Sequence, residues 1–262
     1  MALSIDTKQR LEEILKSSLI RKLRDYNPEA SYMPFHTRLL GKDRLALFSF
    51  IHSLNTNFGS SIFEPVAKEL GVVNFKLAMC QQVAGNYISS EAQRVIQTIM
   101  DNLSTASAEP DKLAEIEAIR KVCTQGSMVL VKPTKVDVKL VSNSGTIYLI
   151  DIKTAKPNAG GFKEFKRTLL EWVATTLADD PQADVKTFIA IPYNPYEPAA
   201  YARWTMRGML DLEQELKVAS EFWDFVGGKG AYMDLLDIFE KVGIDMRSEI
   251  DAYFSRFVKQ IN

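Results

Sequence analysis

Between residues 128 and 152 the spacing of apolar residues changes, and that change narrows the folds open to the chain more than any other feature. Val136, Val138 and Leu140 alternate with Asp137 and Lys139, a second β-rich run covers 147–152, and Ser142-Asn143-Ser144-Gly145 lies between them. A period of two marks a strand with distinct faces, and the Ser-Asn-Ser-Gly stretch is turn chemistry, so the segment reads as an antiparallel hairpin. The short apolar run 128–131 and the run 187–192 read as further strands. Upstream the period is helical. Leu11, Leu15, Leu19 and Leu23 recur every four residues within 6–25, and helices are also expected over 42–55, 61–70, 75–87, 90–103 and 111–122, with Gly71 closing the third. A helix over 162–178 follows the hairpin, and the last 55 residues are helical, punctuated by Gly227-Gly228 and Gly243. The pattern predicts an α/β fold of one domain, 1–262. A mainly helical part, 1–125, precedes a sheet core with C-terminal helices, 126–262.

Composition removes several classes of function. The chain has 262 residues with a formal charge of −1, so any contact with nucleic acid must come from a local patch. Two cysteines and two histidines are too few for a Cys/His zinc cluster or a disulfide scaffold. No apolar run approaches ~18 residues, and the N-terminal segment has no signal-peptide core, so a cytoplasmic protein without a membrane span is expected. Charge is nonetheless segregated. Residues 120–172 hold ten Lys/Arg against four Asp/Glu, and residues 208–254 hold four against eleven. The basic stretch is the one that carries the hairpin.

Chemistry concentrates in Pro133-Thr134-Lys135-Val136-Asp137 and Asp151-Ile152-Lys153. Alternate strand residues share a face, so Asp151 and Lys153 point one way and Tyr148, Ile150 and Ile152 the other. Hairpin pairing then brings Asp137 toward Asp151 and Lys153. Two carboxylates, with the backbone carbonyl of Ile152, suit a hard divalent cation such as Mg²⁺, and a lysine beside them can orient or deprotonate an attacking water. A cross-strand Asp–Lys surface pair accounts for the same residues more plainly. Glu64 admits two readings as well. It is a helix-borne acid facing the hairpin, or it closes a Ser61-x-x-Glu64 capping box.

The segment from Gly59 to Glu64, Pro133 to Asp137, and Asp151-Ile-Lys153 resembles the active-site pattern of the PD-(D/E)xK nuclease superfamily. Gly160 to Arg167 resembles the helix after its DxK strand. Ile191-Pro-Tyr-Asn-Pro-Tyr-Glu197 and Glu221-Phe-Trp-Asp-Phe-Val-Gly-Gly228 resemble the TdeIII family of type II restriction endonucleases. Three residues part Pro133 from Asp137, a departure from the literal Pro-Asp pair. The resemblance implies a restriction-endonuclease-like core, a mixed central sheet flanked by helices. It implies a Mg²⁺-dependent homodimer cutting double-stranded DNA at a short palindrome of the GG-N-CC kind, leaving 5′-phosphate ends. It also implies a companion DNA methyltransferase. By position, Asp137 and Asp151 would hold the metal, Glu64 would complete its shell, and Lys153 would act on the water.

Candidate DNA contacts are Lys156, Lys163, Lys166 and Arg167, just after the catalytic strand. Lys163, Lys166 and Arg167 share a helix face at i, i+3 and i+4. Asn194, Arg203 and Arg207 are candidate base readers, since Asn suits adenine and Arg suits guanine. Phe222, Trp223 and Phe225 read as core or interface. A structure-selective repair nuclease and a non-catalytic DNA-binding module remain the competing readings.

Overall fold

The computed structural model describes residues 3–26, 33–153, 161–201 and 206–258. Ten helices and seven strands occur among them: α1 Ile5–Asp25, α2 Pro34–Leu40, α3 Lys42–Phe58, α4 Glu64–Asn74, β1 Leu77–Val83, β2 Tyr87–Ser89, α5 Ser90–Ser104, α6 Lys112–Arg120, β3 Met128–Leu130, β4 Lys135–Val141, β5 Ile147–Ile152, α7 Phe162–Asp179, β6 Val185–Ile191, β7 Leu216–Val218, α8 Ser220–Gly227, α9 Ala231–Asp245 and α10 Arg247–Val258.

Five strands form the central sheet in the order β1-β4-β5-β6-β7. β1, β4 and β5 are antiparallel, while β5, β6 and β7 run parallel. The predicted hairpin is β4–β5, with Val138 opposite Ile150 and Val141 opposite Ile147. Its turn closes by Gly145 N–H donating to Ser142 O, with Gly145 at φ +95°, where a side chain would be strained. Helices cover both sheet faces, as parallel strands require. One layer packs α1, α4, α8 and α9 on Val138, Leu140, Ile150, Ile152 and Phe188. The other packs α5, α6 and α7 on Leu149, Ile189 and Ile191. Both faces of β5 are therefore buried, and Leu149 is wholly enclosed on the face that carries Asp151.

Four sequence expectations change, one of them in the last 55 residues, where Leu216–Val218 pair with β6 as strand β7 and are not helical. The stretch 75–87, rich in Leu, Ala, Met and Gln, reads as helix by propensity. It forms β1 and β2, because pairing of β1 along β4 from Leu77↔Val141 to Val83↔Lys135 outweighs local preference. The 128–131 run does not join the main sheet, since β3 pairs only with β2 in a two-stranded ribbon. Gly71 does not end its helix. α4 runs on to Asn74, and a Cβ at Gly71 would lie 2.7 Å from Leu140 Cδ2 and 3.0 Å from the Ala78 Cβ. The missing side chain lets α4 lie directly against β1 and β4, which fixes the height of Glu64 above the sheet.

Candidate active site

Glu64 stands where a long helix changes its hydrogen-bonding pitch. α3 passes through a π-helical turn, Gly59–Phe63, straight into α4. Pro65 supplies the reason. It has no N–H to donate, and its ring disfavours an ordinary turn. The Glu64 N–H reaches back five residues to Gly59 O, and Ser61 O accepts the Ser18 hydroxyl of α1 at 2.8 Å. The capping box therefore does not form, because no helix begins at Ser61 and α4 has no side-chain cap. Only 4% of Glu64 is exposed, and burial, ahead of the Asp151 charge, raises its carboxyl above the ordinary glutamate range.

Asp137 continues the β4–β5 register one position past Val138↔Ile150, which puts it opposite Asp151. Its Oδ2 accepts the Ile152 N–H at 2.8 Å. Burial first, then the neighbouring Asp151 carboxylate, push the Asp137 carboxyl up to about 7 against that N–H. Asp151 is buried, and its Oδ1 lies 2.8 Å from Lys153 Nζ. The same ammonium sits 4.5 Å over the Phe165 ring of α7, a cation–π contact on the sheet face that Leu149, Asp151 and Lys153 share. The lysine is thus held from two sides while a quarter of its side chain stays accessible, at 27%.

Gln81 is the member of this group that sequence reasoning missed. Its Nε2 donates to Glu64 Oε2 at 2.8 Å and lies 3.4 Å from Asp137 Oδ1. Local composition conceals it, because β1 has a single β-branched residue, Val83, and by propensity reads as helix. Cys80, next to it, is no nucleophile at neutral pH, since burial pushes its thiol to about 11.

Asp137 and Asp151 are the residues that could hold a cation. Two carboxylates side by side repel, which is part of why Asp137 resists ionisation, and a hard divalent ion between them would reverse that penalty. Among the described residues no three His, Cys, Asp or Glu side chains form a metal-holding set. Glu64 is linked to Asp137 through the Gln81 amide.

The family described as "Type II restriction endonuclease, HinfI" matches residues 3–243, nearly the whole chain. The chain belongs to the HinfI family of type II restriction endonucleases. Among curated relatives, the type II restriction enzyme HgiEI of Herpetosiphon aurantiacus is 24% identical over 95% of this chain and 98% of its own. HgiCII of the same organism is 23% identical over 88% of each chain. MjaII of Methanocaldococcus jannaschii is 25% identical over 76% of this chain and 55% of its own.

In this HinfI-family chain the candidate DNA contacts divide sharply. Lys163 and Arg207 are exposed. Arg167 is half-buried, and its Nη2 donates to Gln97 Oε1 on α5 at 2.8 Å. The half-buried Asn194 side chain makes two hydrogen bonds within its own loop, donating to Ala199 O and accepting from the Tyr196 N–H. Lys156 and Arg203 lie outside the described residues. Lys166 must be corrected. It is wholly buried, with Nζ 2.5 Å from Glu115 Oε2 and 2.6 Å from Glu215 Oε2. Lys112 lies 2.8 Å from Glu215 Oε1 in the same cluster. Helical spacing places Lys166 beside Lys163, but α6 covers that part of α7 and the charge is met inside the fold. Phe222 and Trp223 are core residues, and the Trp223 indole N–H donates to Pro192 O at 2.8 Å.

Proposed function

We propose that this chain is a site-specific deoxyribonuclease that hydrolyses phosphodiester bonds of double-stranded DNA in the presence of Mg²⁺. The observation that carries the reading is the meeting of Asp137, Asp151 and Lys153 at one end of the β4–β5 hairpin. Relatives named as type II restriction enzymes that align along almost the whole chain support a restriction role.

Asp137 and Asp151 would hold the cation, with the Ile152 carbonyl as a further oxygen donor. When bound there, Mg²⁺ supplies neutralisation of charge at the scissile phosphate and eases ionisation of water. The Ile152 N–H holds Asp137 in place. Asp151 and the Phe165 ring hold the Lys153 ammonium, whose protons can orient the attacking water and meet charge developing on the phosphate. Glu64 acts from the edge of the site, on the water or on a second cation.

The finer expectations follow from the sequence resemblance. They are a homodimer whose two-fold axis matches a palindrome, a site of the GG-N-CC kind, 5′-phosphate ends, a TdeIII-like affiliation and a companion methyltransferase. Lys163, Arg167, Asn194 and Arg207, with Lys156 and Arg203, are the proposed DNA contacts. The test is incubation of pure protein with a sequenced plasmid and Mg²⁺, beside EDTA and Lys153→Ala controls. Discrete fragments absent from both controls are expected, and their mapped ends give site and stagger. A smear, or cutting at branched structures alone, favours a repair nuclease, and no cutting with Mg²⁺ or Mn²⁺ overturns the enzymatic reading.

A further inference from the structure

We infer that Gln81 is a positioning residue of the proposed nuclease site, a neutral clamp that holds the Glu64 and Asp137 carboxylates in one arrangement. The inference rests on the function proposed above.

Three observations carry it. First, one carboxamide nitrogen addresses both acids, Glu64 Oε2 at 2.8 Å and Asp137 Oδ1 at 3.4 Å. Those acids come from different elements, α4 and β4, and no backbone pairing ties α4 to the end of β4. Second, Gln81 holds a backbone conformation that side chains avoid. Its φ is +56°, in the left-handed region, within a strand whose neighbours Cys80 and Gln82 keep regular pairing with Val138 and Val136. A non-glycine residue there costs on the order of 1 kcal/mol or more and persists only where surrounding structure demands it. Third, Gln81 is exposed while Glu64 is enclosed. The amide therefore covers the acids from the solvent side, where substrate must approach, and contributes little to the core.

The choice of an amide has a chemical reason. Lysine or arginine at this position would neutralise the acids and compete with a cation for them. A second acid would add to the repulsion that already disfavours the charged form of Asp137. A carboxamide donates hydrogen bonds without carrying charge. It restrains both acids and leaves their negative charge for a cation and for the attacking water. Outer partners of this kind orient metal-holding carboxylates and typically account for about 10- to 100-fold in affinity or activity.

Gln81→Met keeps length and removes the donor, and Gln81→Glu keeps the shape and adds charge. Each is compared with the wild-type chain in three measurements: thermal unfolding, Mn²⁺ binding by calorimetry without DNA, and plasmid cleavage against Mg²⁺ concentration. We expect unfolding temperatures to change by no more than a few degrees. Gln81→Met should bind Mn²⁺ about 10-fold more weakly and cut at least 10-fold more slowly at saturating DNA, with the half-saturating Mg²⁺ raised. Gln81→Asn, whose amide is too short to span both acids, should not restore the rate. Wild-type cleavage together with unchanged Mn²⁺ affinity and rate in Gln81→Met overturns the clamp and leaves the nuclease reading standing. A wild-type chain that neither binds Mn²⁺ nor cuts overturns both.

Discussion

The buried lysines and the exposed one make opposite predictions from the same residue type. Lys166→Met would leave Glu115 and Glu215 enclosed with Lys112 as their only remaining cation in the cluster. Burial already lowers the Lys112 pKa and raises that of Glu115, whereas for Glu215 the two lysines outweigh burial and lower it. Removing one partner of such a group costs about 3–5 kcal/mol, so denaturant unfolding should show a loss of that size. A Lys166→Met chain of normal stability and weakened DNA affinity would return Lys166 to the phosphate-binding role. Lys163→Ala should do the reverse, weakening DNA binding and its salt dependence without touching stability. At the site itself, Lys153→Ala should leave DNA affinity near the wild-type value and slow cleavage by about 10²- to 10⁴-fold. Retention of a large part of wild-type cleavage would take the lysine out of the chemistry. Glu64→Gln replaces a desolvated carboxylate by a neutral group of the same shape. Its unfolding temperature should hold while its cleavage slows, and a large drop in stability with an unchanged rate would make Glu64 structural.

Secondary-structure elements bring the acids together, and α4 has the most demanding task among them. It enters through the π turn before Pro65 and settles on the sheet at Gly71. Gly71→Val would press on Leu140 and Ala78, a form of overpacking that costs about 1–3 kcal/mol. Because the same helix carries Glu64, cleavage should fall together with stability. The neighbouring Val72→Ala, at an exposed position, serves as the control and should change neither. If Gly71→Val lowers stability but cuts at the wild-type rate, the height of α4 does not govern the site. The β4–β5 hairpin is the more autonomous element, since its alternation, its turn residues and its register all agree.

Taken as a molecule that meets DNA, the chain concentrates positive charge in the residues around the hairpin and negative charge in its C-terminal helices. A palindromic duplex presents two scissile phosphates related by a two-fold axis, so one site per subunit is the economical arrangement. This yields a prediction about mixtures. With the proposed homodimer, wild-type subunits equilibrated with a large excess of Lys153→Ala should convert supercoiled plasmid mainly to the nicked form, because most active subunits would then face an inactive partner. Linear product in the same proportion as with wild type alone would mean that a single subunit cuts both strands.

The hairpin, the order of α5, α6 and α7, and the placing of Asp137, Asp151 and Lys153 together at one end of that hairpin were legible in the linear chain. Each depends on residues close in sequence, where strand alternation and helical spacing assign faces directly. Gln81 and the burial of Lys166 were not legible. β1 becomes a strand only by pairing with β4, more than fifty positions on, and its own residues favour helix. Lys163 and Lys166 are equivalent in helical spacing, and only the packing of α6 on α7 encloses one and exposes the other. Pattern along the chain assigns a face to each side chain, but whether water, a helix or an opposing carboxylate lies against that face depends on segments far away in sequence, and so it is set only when the chain is assembled.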